Sequence, residues 1–345
     1  MPPVKLLPYL VSLMKTHRNI PVFIPQEGCP NACVFCSQKK ITGVDRRAEL
    51  DTFHATVEKA LENKWQESEI AFFGGSFTAI DIPRMTSLLD AAYEYVKNGK
   101  VSGIRVSTRP DFIDDNILAL LRSKGVTAIE LGIQSVSEKV LQASGRGHTA
   151  MHSEKACKLI KKHGFRLGGQ MMVGLPLSDK NTEVQTAKSI CQWGADETRV
   201  YPTVVFEDTP LYRMTLSGEY TPLSVEDAVI RCADCMEIFL ERGVKVLRVG
   251  LHASESLVSA PYGATHPAMG ELVESEIYRR RISALIGEKR GKKLVINVPA
   301  SAPSKAAGQH RANIEFFKKV YGFKYISVYG CDDIPEYTAQ IYIED

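Results

Sequence analysis

Three cysteines lie close together in this 345-residue sequence: Cys29, Cys33 and Cys36, within Gly28-Cys29-Pro30-Asn31-Ala32-Cys33-Val34-Phe35-Cys36. Their spacing, C-x3-C-x2-C, follows the apolar run at residues 21–25. Thiols this close cannot all project from one regular strand or helix toward the same point, so the segment must wrap around a bound group. Four thiolates close a zinc site or saturate a [4Fe–4S] cluster. Three leave one iron of such a cluster without a protein ligand, free to bind a small molecule and do chemistry on it. The bland alternative is a structural zinc knuckle. For that, His54 is the nearest fourth ligand in sequence, and no C-x2-C/H pair follows closely.

Short apolar segments and amphipathic segments alternate along the chain. Strands are predicted at 20–24, 69–73, 104–107, 128–131, 166–173 and 197–204. Helices are predicted at 52–63, 85–98, 114–124, 137–143, 152–163 and 181–193. Such βα repetition predicts an α/β fold of parallel strands joined by right-handed crossovers. The candidate site residues fall at the C-terminal ends of these strands, where a βα barrel builds its site. Residues 222–290 read as mostly helical, interrupted by a strand-like piece at 245–249 and a loop at 259–269. The expected division is a barrel over 1–221, a helical extension over 222–290 and a small α+β unit over 291–345.

The cysteine trio, with Phe35 just before the last thiol, resembles the signature of the radical S-adenosylmethionine (SAM) enzymes. The resemblance implies a [4Fe–4S] cluster on Cys29, Cys33 and Cys36, with the amino and carboxylate groups of SAM on the open iron. It implies reductive cleavage of SAM to a 5′-deoxyadenosyl radical, which abstracts hydrogen from an unactivated C–H bond. It further implies an incomplete (β/α)6 TIM-type barrel, open on one side, and a Gly74-Gly75-Ser76 turn that meets the amino group of SAM. The blocks at 130–135, 144–149 and 170–176 resemble the oxygen-independent coproporphyrinogen oxidases and the catalytic subunit of Elongator, a tRNA-modifying enzyme. In the oxidases, SAM is held at positions that match Ser107, Gln134, Arg146 and Gln170 here, although acids stand in place of Ser107 and Gln170. An arginine suits a carboxylate, and amides or hydroxyls suit ribose and amino groups. Gln134 and Gln170 as satisfied core amides are the alternative. Segments 201–205, 208–212 and 266–272 look more like the Elongator subunit. That subunit spaces its cluster cysteines more widely and carries an acetyltransferase domain, for which residues 291–345 are too few, so acetyl transfer is not expected.

Residues 291–345 read as β-α-loop-α-β-β, an order that resembles a KH RNA-binding module. Gly308-Gln309-His310-Arg311 falls where that module keeps the Gly-x-x-Gly loop that clamps a nucleic-acid backbone. Arg311 replaces the second glycine and suits pairing with phosphate. Between Arg279 and Lys324 there are twelve basic residues against Glu288 and Glu315, although the whole chain is only +3. A local excess of that kind is an electrostatic footprint for nucleic acid; a solvated basic face is the alternative. Cys157, Cys191, Cys232 and Cys235 read as core residues, and Cys331 lies in a turn. His252, Glu255, His266 and Glu271 are candidates for substrate binding or proton movement, whereas Glu274 and Glu276 read as salt-bridge partners.

Composition is ordinary for a globular protein, 44% hydrophobic and 24% charged. No apolar run reaches membrane-spanning length and residues 1–7 lack a signal-peptide pattern. With eight cysteines suited to a reducing compartment, a cytoplasmic location without a membrane partner is expected. These readings point to a radical SAM enzyme that modifies tRNA or rRNA, served by an electron donor such as a flavodoxin or ferredoxin. Two alternatives stand beside it. One is a tetrapyrrole or other small-molecule oxidase; the other is a non-catalytic RNA-binding protein whose cluster is structural or senses redox state.

Overall fold

The computed structural model describes residues 17–24, 27–30, 32–42, 50–62, 67–252 and 254–345. Asn31 and residues 1–7 lie outside them, as does residue 63 at the end of the first expected helix. Six strands follow one another: β1 (His17–Phe23), β2 (Glu67–Phe73), β3 (Gly103–Thr108), β4 (Val126–Gln134), β5 (Arg166–Val173) and β6 (Glu197–Pro202). After them come the two-residue β7 (Val204–Val205) and then β8 (Lys245–Val249). The main sheet runs β1-β2-β3-β4-β5-β6-β8, with every pairing parallel. It curls into a partial barrel whose edge strands are β1 and β8.

Six barrel strands were expected, and the main sheet has seven among the described residues. Helix Val225–Glu241 is the crossover that carries the chain from β6 to β8, and β8 pairs with β6. The sheet therefore continues past residue 221, and the segment read as a helical extension supplies the barrel's last strand.

The central strands β3 to β6 are largely buried on both faces. Along β4, Ile129, Leu131 and Ile133 turn outward into the apolar core beneath the helices, while Glu130, Gly132 and Gln134 turn inward. The period of two along a strand produces this division. The covering helices start on side-chain caps. Asp81 accepts from Arg84 N at 3.0 Å, Asp114 from Ile117 N at 2.8 Å, and Thr149 and Asp179 open capping boxes.

Helix Met269–Ile286 belongs to two cores at once. Met269, Val273 and Ile277 pack on the barrel, while Tyr278, Ile282 and Ile286 pack on the C-terminal unit. A second short strand, β9 (Tyr262–Gly263), pairs antiparallel with β7. The C-terminal unit holds β10 (Lys293–Pro299), helices Pro303–Ala307 and Ala312–Tyr321, β11 (Tyr325–Cys331) and β12 (Gln340–Glu344), in the element order read from the sequence. Its sheet order is β11-β10-β12, parallel on one side of β10 and antiparallel on the other. Among the described residues no helix is long and apolar enough to cross a membrane.

Candidate functional site

A cavity of about 1170 Å³ occupies the partial barrel. Cys29, Cys33, Cys36, Gly74, Gly75, Ser107, Gln134, Arg146 and Gln170 all line it. Nine residues spread over some 140 positions thus meet at one place because each strand delivers its last residues to the same end of the sheet.

The cysteine loop is pinned from two directions. Val34 N donates to Ser144 O at 3.1 Å, and Leu211 N donates to Val34 O at 2.9 Å. Cys29 is exposed, Cys36 half-buried and Cys33 buried. Gln38, the first residue of helix Gln38–Thr42, bridges two parts of the site. Its Nε2 lies 3.7 Å from Cys29 Sγ and its Oε1 accepts from Gly75 N at 2.9 Å. Arg146 sets Nη1 at 3.4 Å from Cys33 Sγ and donates through Nη2 to Gly132 O at 2.6 Å. Burial, with the neighbouring thiols adding to it, pushes Cys36 up to about 12 and raises Cys29 as well. Without a bound group, Cys29 and Cys36 therefore favour the neutral thiol. A bound cation must displace their protons, so loading is coupled to proton release. Among the described residues no three His, Cys, Asp or Glu side chains converge tightly enough to hold a single ion.

Beside the thiols stand groups suited to an amino-acid nucleotide. Gly75 has φ +51°, and a Cβ there would fall 2.2 Å from Glu27 O and 2.8 Å from Ile24 O. Only glycine fits that turn. Ser76, Thr78 and Thr108 brace it through their hydroxyls, at 3.0 Å (Ser76–Thr108) and 2.6 Å (Thr78–Thr108). Gln134 holds a left-handed backbone, φ 65°, and its buried Oε1 has no hydrogen-bond partner among the described residues. A buried acceptor left empty costs stability, and an ammonium group would fill it. Three thiols, a glycine cradle and an orphaned amide oxygen fit an iron–sulfur cluster with SAM. Gln170 is not orphaned, since its Nε2 donates to Glu130 Oε2 at 3.2 Å. Where the oxidases carry acids at the Ser107 and Gln170 positions, this chain has Glu130 directly across from Ser107 in the β3–β4 register.

Glu130 belongs to a charged floor that sequence reasoning missed. Arg105 Nη1 donates to Glu130 at 2.9 Å and to Glu197 at 2.8 Å, and Arg105 also bonds Glu69 at 3.2 Å. Arg199 Nε donates to Glu130 at 2.9 Å, and Arg166 pairs with Glu69 and Glu197. Three arginines and three glutamates thus neutralise one another inside the barrel. The available signal was the charged residue at every second position in otherwise apolar strands, as in Glu197-Thr198-Arg199.

Of the remaining candidates, only His252 lines the cavity. His266 accepts from Ala268 N at 3.1 Å within its own turn. Glu255 opens the short helix Glu255–Val258, and Glu271 lies in the first turn of helix Met269–Ile286. Glu276 pairs with Arg279 and Arg280, and Glu274 with Lys305, as salt-bridge partners should. His54 bonds the Tyr95 hydroxyl at 2.9 Å, away from the thiols. Cys157, Cys232 and Cys235 are core residues, while Cys191 is half-buried against the core.

Gly308, Gln309, His310 and Arg311 stand apart from the cavity, in the C-terminal unit. Gly308 is buried; a Cβ there would lie 2.9 Å from Asn313 N and 3.1 Å from Ser275 Oγ. It serves close packing, whereas His310 (φ 51°) and Arg311 (φ 64°) are exposed in left-handed backbone. The basic stretch is partly neutralised. Arg279, Arg280, Lys293, Lys305 and Lys318 have carboxylate partners, and Arg281 donates to Tyr337 O. Lys289, Arg290, Lys292, Arg311, Lys319 and Lys324 keep their charge open to solvent.

A sequence profile of the radical SAM superfamily matches residues 23–188, and one of the radical SAM C-terminal domain matches 195–279. The tRNA uridine(34) acetyltransferase of Methanocaldococcus jannaschii is 28% identical over 181 residues, which is 47% of this chain and 34% of that protein. Elongator complex protein 3 of Homo sapiens is 30% identical over 285 residues, 74% of this chain and 51% of that protein. The chain thus spans between about a third and a half of the length of these two relatives. Among solved structures, the archaeal Methanocaldococcus infernus Elp3 with an N-terminal deletion superposes with a TM-score of 0.62. Its identity is 22%, over 76% of this chain and 63% of that one, so the fold is shared. The two profiles together span well over half of the sequence, and the chain belongs to the radical SAM superfamily, as an enzyme whose cofactors are a [4Fe–4S] cluster and S-adenosylmethionine.

Proposed function

We propose that this enzyme modifies RNA, with tRNA as the substrate class, by hydrogen abstraction at a nucleotide drawn into the open side of the barrel. The observation that carries this reading is the charge of the cavity. Seven arginines and lysines line it, and no aspartate or glutamate is itself among the described cavity-lining residues. Arg105 and Arg199 are answered by the buried floor glutamates and Arg109 by Asp111, but Lys245 and Arg248 have no ion pair among the described residues. A polyanion is the partner such a wall suits. The name of the M. jannaschii relative, a tRNA-modifying enzyme, supports the same substrate class.

When bound, the cluster supplies the electron that opens the C–S bond of SAM and so a primary carbon radical. The chain's own residues bind and orient. Cys29, Cys33 and Cys36 hold the cluster, and Gln38 ties Cys29 to the Gly74–Gly75 turn. Gln134 Oε1 accepts from the SAM ammonium, and the Arg146 guanidinium meets its carboxylate. Ser107 and Gln170, which line the same cavity, would serve the ribose hydroxyls. The KH-like C-terminal unit grips the RNA backbone through Arg311 and the unpaired lysines, and a base must leave its stack to reach the cavity. A small flavodoxin or ferredoxin serves as electron donor, and the cytoplasm is the setting.

The test is anaerobic reconstitution with iron, sulfide, reductant and SAM, with and without bulk tRNA. Release of 5′-deoxyadenosine stimulated by tRNA, with a mass change in the digested nucleosides, is the expected result. Failure to bind RNA even at about 50 mM salt, where counterion release favours binding most, would sink the RNA reading. Turnover of a porphyrinogen instead would favour a small-molecule oxidase.

A further inference from the structure

A register shift aims Arg248 into the cavity beside Arg199. Between β6 and β8, Thr198 faces Val246, yet the next pair is Arg199 with Arg248. The extra residue in β8 is Leu247. An inserted residue re-aims the side chains that follow it. In unbroken register Leu247 would oppose Arg199, and Arg248 would belong to the opposite face.

Two arginines consequently stand opposite each other on neighbouring strands, an arrangement that costs stability. Arg199 is compensated by Glu130 at 2.9 Å. Arg248 is half-buried and has no ion pair among the described residues, and burial pulls its pKa down. His252 lies just beyond the strand on the same wall. Burial first, then Arg248 and Arg199, lower its pKa, so at neutral pH it offers an uncharged imidazole. No carboxylate among the described cavity-lining residues answers this cluster. A charged side chain held against its like, without a counter-ion, is a place built for an anion from outside.

We propose that Arg248 and His252, backed by Arg199, form the seat for a phosphate group of the substrate on the β8 side of the cavity. The fork of a guanidinium matches two phosphate oxygens. The seat's position also has the right scale. Gly132, Gln170, Arg199 and Arg248 form one transverse row across β4, β5, β6 and β8. Three interstrand steps separate Arg248 from Gly132, whose carbonyl Arg146 holds, about 14 Å at roughly 4.8 Å per step. That span leaves room for one nucleoside between the SAM end and the phosphate. The inference rests on the RNA reading only for the source of the phosphate, a backbone phosphodiester rather than a free nucleotide.

Equilibrium dialysis of the reconstituted full chain, with labelled uridine 3′,5′-bisphosphate and uridine as probes, tests the seat. The bisphosphate is expected to bind about tenfold or more tighter than uridine. R248Q should remove the difference, R248K should keep part of it as a point charge without the fork, and H252A should reduce it less. Circular dichroism and the cluster's visible absorbance show that each variant is folded. Equal binding of the two probes by the native chain, or bisphosphate binding that survives R248Q, overturns the seat. A short single-stranded RNA in the same assay separates the two ideas. RNA binding indifferent to R248Q removes the seat and leaves the RNA reading. Arg248-dependent bisphosphate binding without RNA binding keeps the seat and makes the substrate a free nucleotide.

Discussion

Arg146 Nη1 lies 3.4 Å from Cys33 Sγ, although the two residues are 113 positions apart in sequence. The contact depends on a tight turn. Gly145 and Gly147 flank Arg146 with φ +65° and +73°, and a Cβ on Gly145 would come within 3.2 Å of Ala32 O. Two glycines thus hold the arginine's turn against the cysteine loop, so that one guanidinium reaches both Cys33 and the carbonyl of Gly132.

Arg146→Lys should therefore weaken SAM binding by about tenfold or more, because an ammonium cannot keep Gly132 O and a carboxylate with one planar fork. The iron content should fall much less. Equilibrium dialysis with SAM beside an iron assay separates the two, and unchanged SAM affinity would remove Arg146 from the binding set.

Gly75→Ala should be far more harmful than its size suggests. The added methyl meets backbone oxygens of Glu27 and Ile24 that cannot move aside. We expect a loss of about 2 kcal/mol or more in urea unfolding, from strain at positive φ together with the clash. A parallel loss of SAM binding is expected. Gly74→Ala should cost less, since its nearest neighbours stand at 3.6 Å.

Glu130→Gln should destabilise the barrel by about 3 kcal/mol, because it leaves Arg105 and Arg199 short of a buried counter-charge. Adding Arg199→Gln should recover part of that loss. Urea midpoints of the two variants against the native chain check this, and additive losses would show that the pair is not coupled.

His148 makes a pH prediction. Burial first, then Arg146 and Arg109, push its pKa down to about 3. The unfolded chain takes up a proton near pH 6.5 that the folded chain refuses until about pH 3. Stability from this group is therefore complete above pH 6.5 and declines as pH falls, at about 1.4 kcal/mol per unit well below that point. Between pH 6.5 and 5.5 the native chain should lose more stability than His148→Gln, as read from urea unfolding at both values. Equal losses would contradict the assignment.

Arg311→Gly should move two readouts in opposite directions. Arg311 pays the left-handed backbone penalty of about 1 kcal/mol that glycine avoids, so the melting temperature should rise slightly. RNA affinity at low salt should fall, with a salt slope smaller by about one. A variant that binds RNA as the native chain does would take Arg311 out of the RNA contact.

The cysteine trio was legible because C-x3-C-x2-C is a local pattern, and the strand order was legible because βα periodicity is local too. Strands such as 166–173 and 245–249 end where the sequence placed them. The charged floor was not legible. Arg105 finds Glu130 and Glu197 at separations of 25 and 92 residues, and a charged residue in a strand reads as solvated until both faces of that strand are known to be covered. The linear count of basic residues overstated the free charge for the same reason. Arg280 is neutralised by Asp234 and Glu237 from another helix.

By itself, then, the sequence determined the reactive inventory and the repeating units: three thiols, glycine turns after strands, and apolar residues at every second or every third to fourth position. These are properties of neighbours along the chain. The tertiary structure alone decided which of them share a cavity, that Arg146 meets Cys33, and that one extra residue in β8 turns Arg248 inward. Curling a sheet joins strand ends that are distant in sequence, and a shift of a single residue reverses the face a side chain occupies, so neither outcome is written in any local pattern.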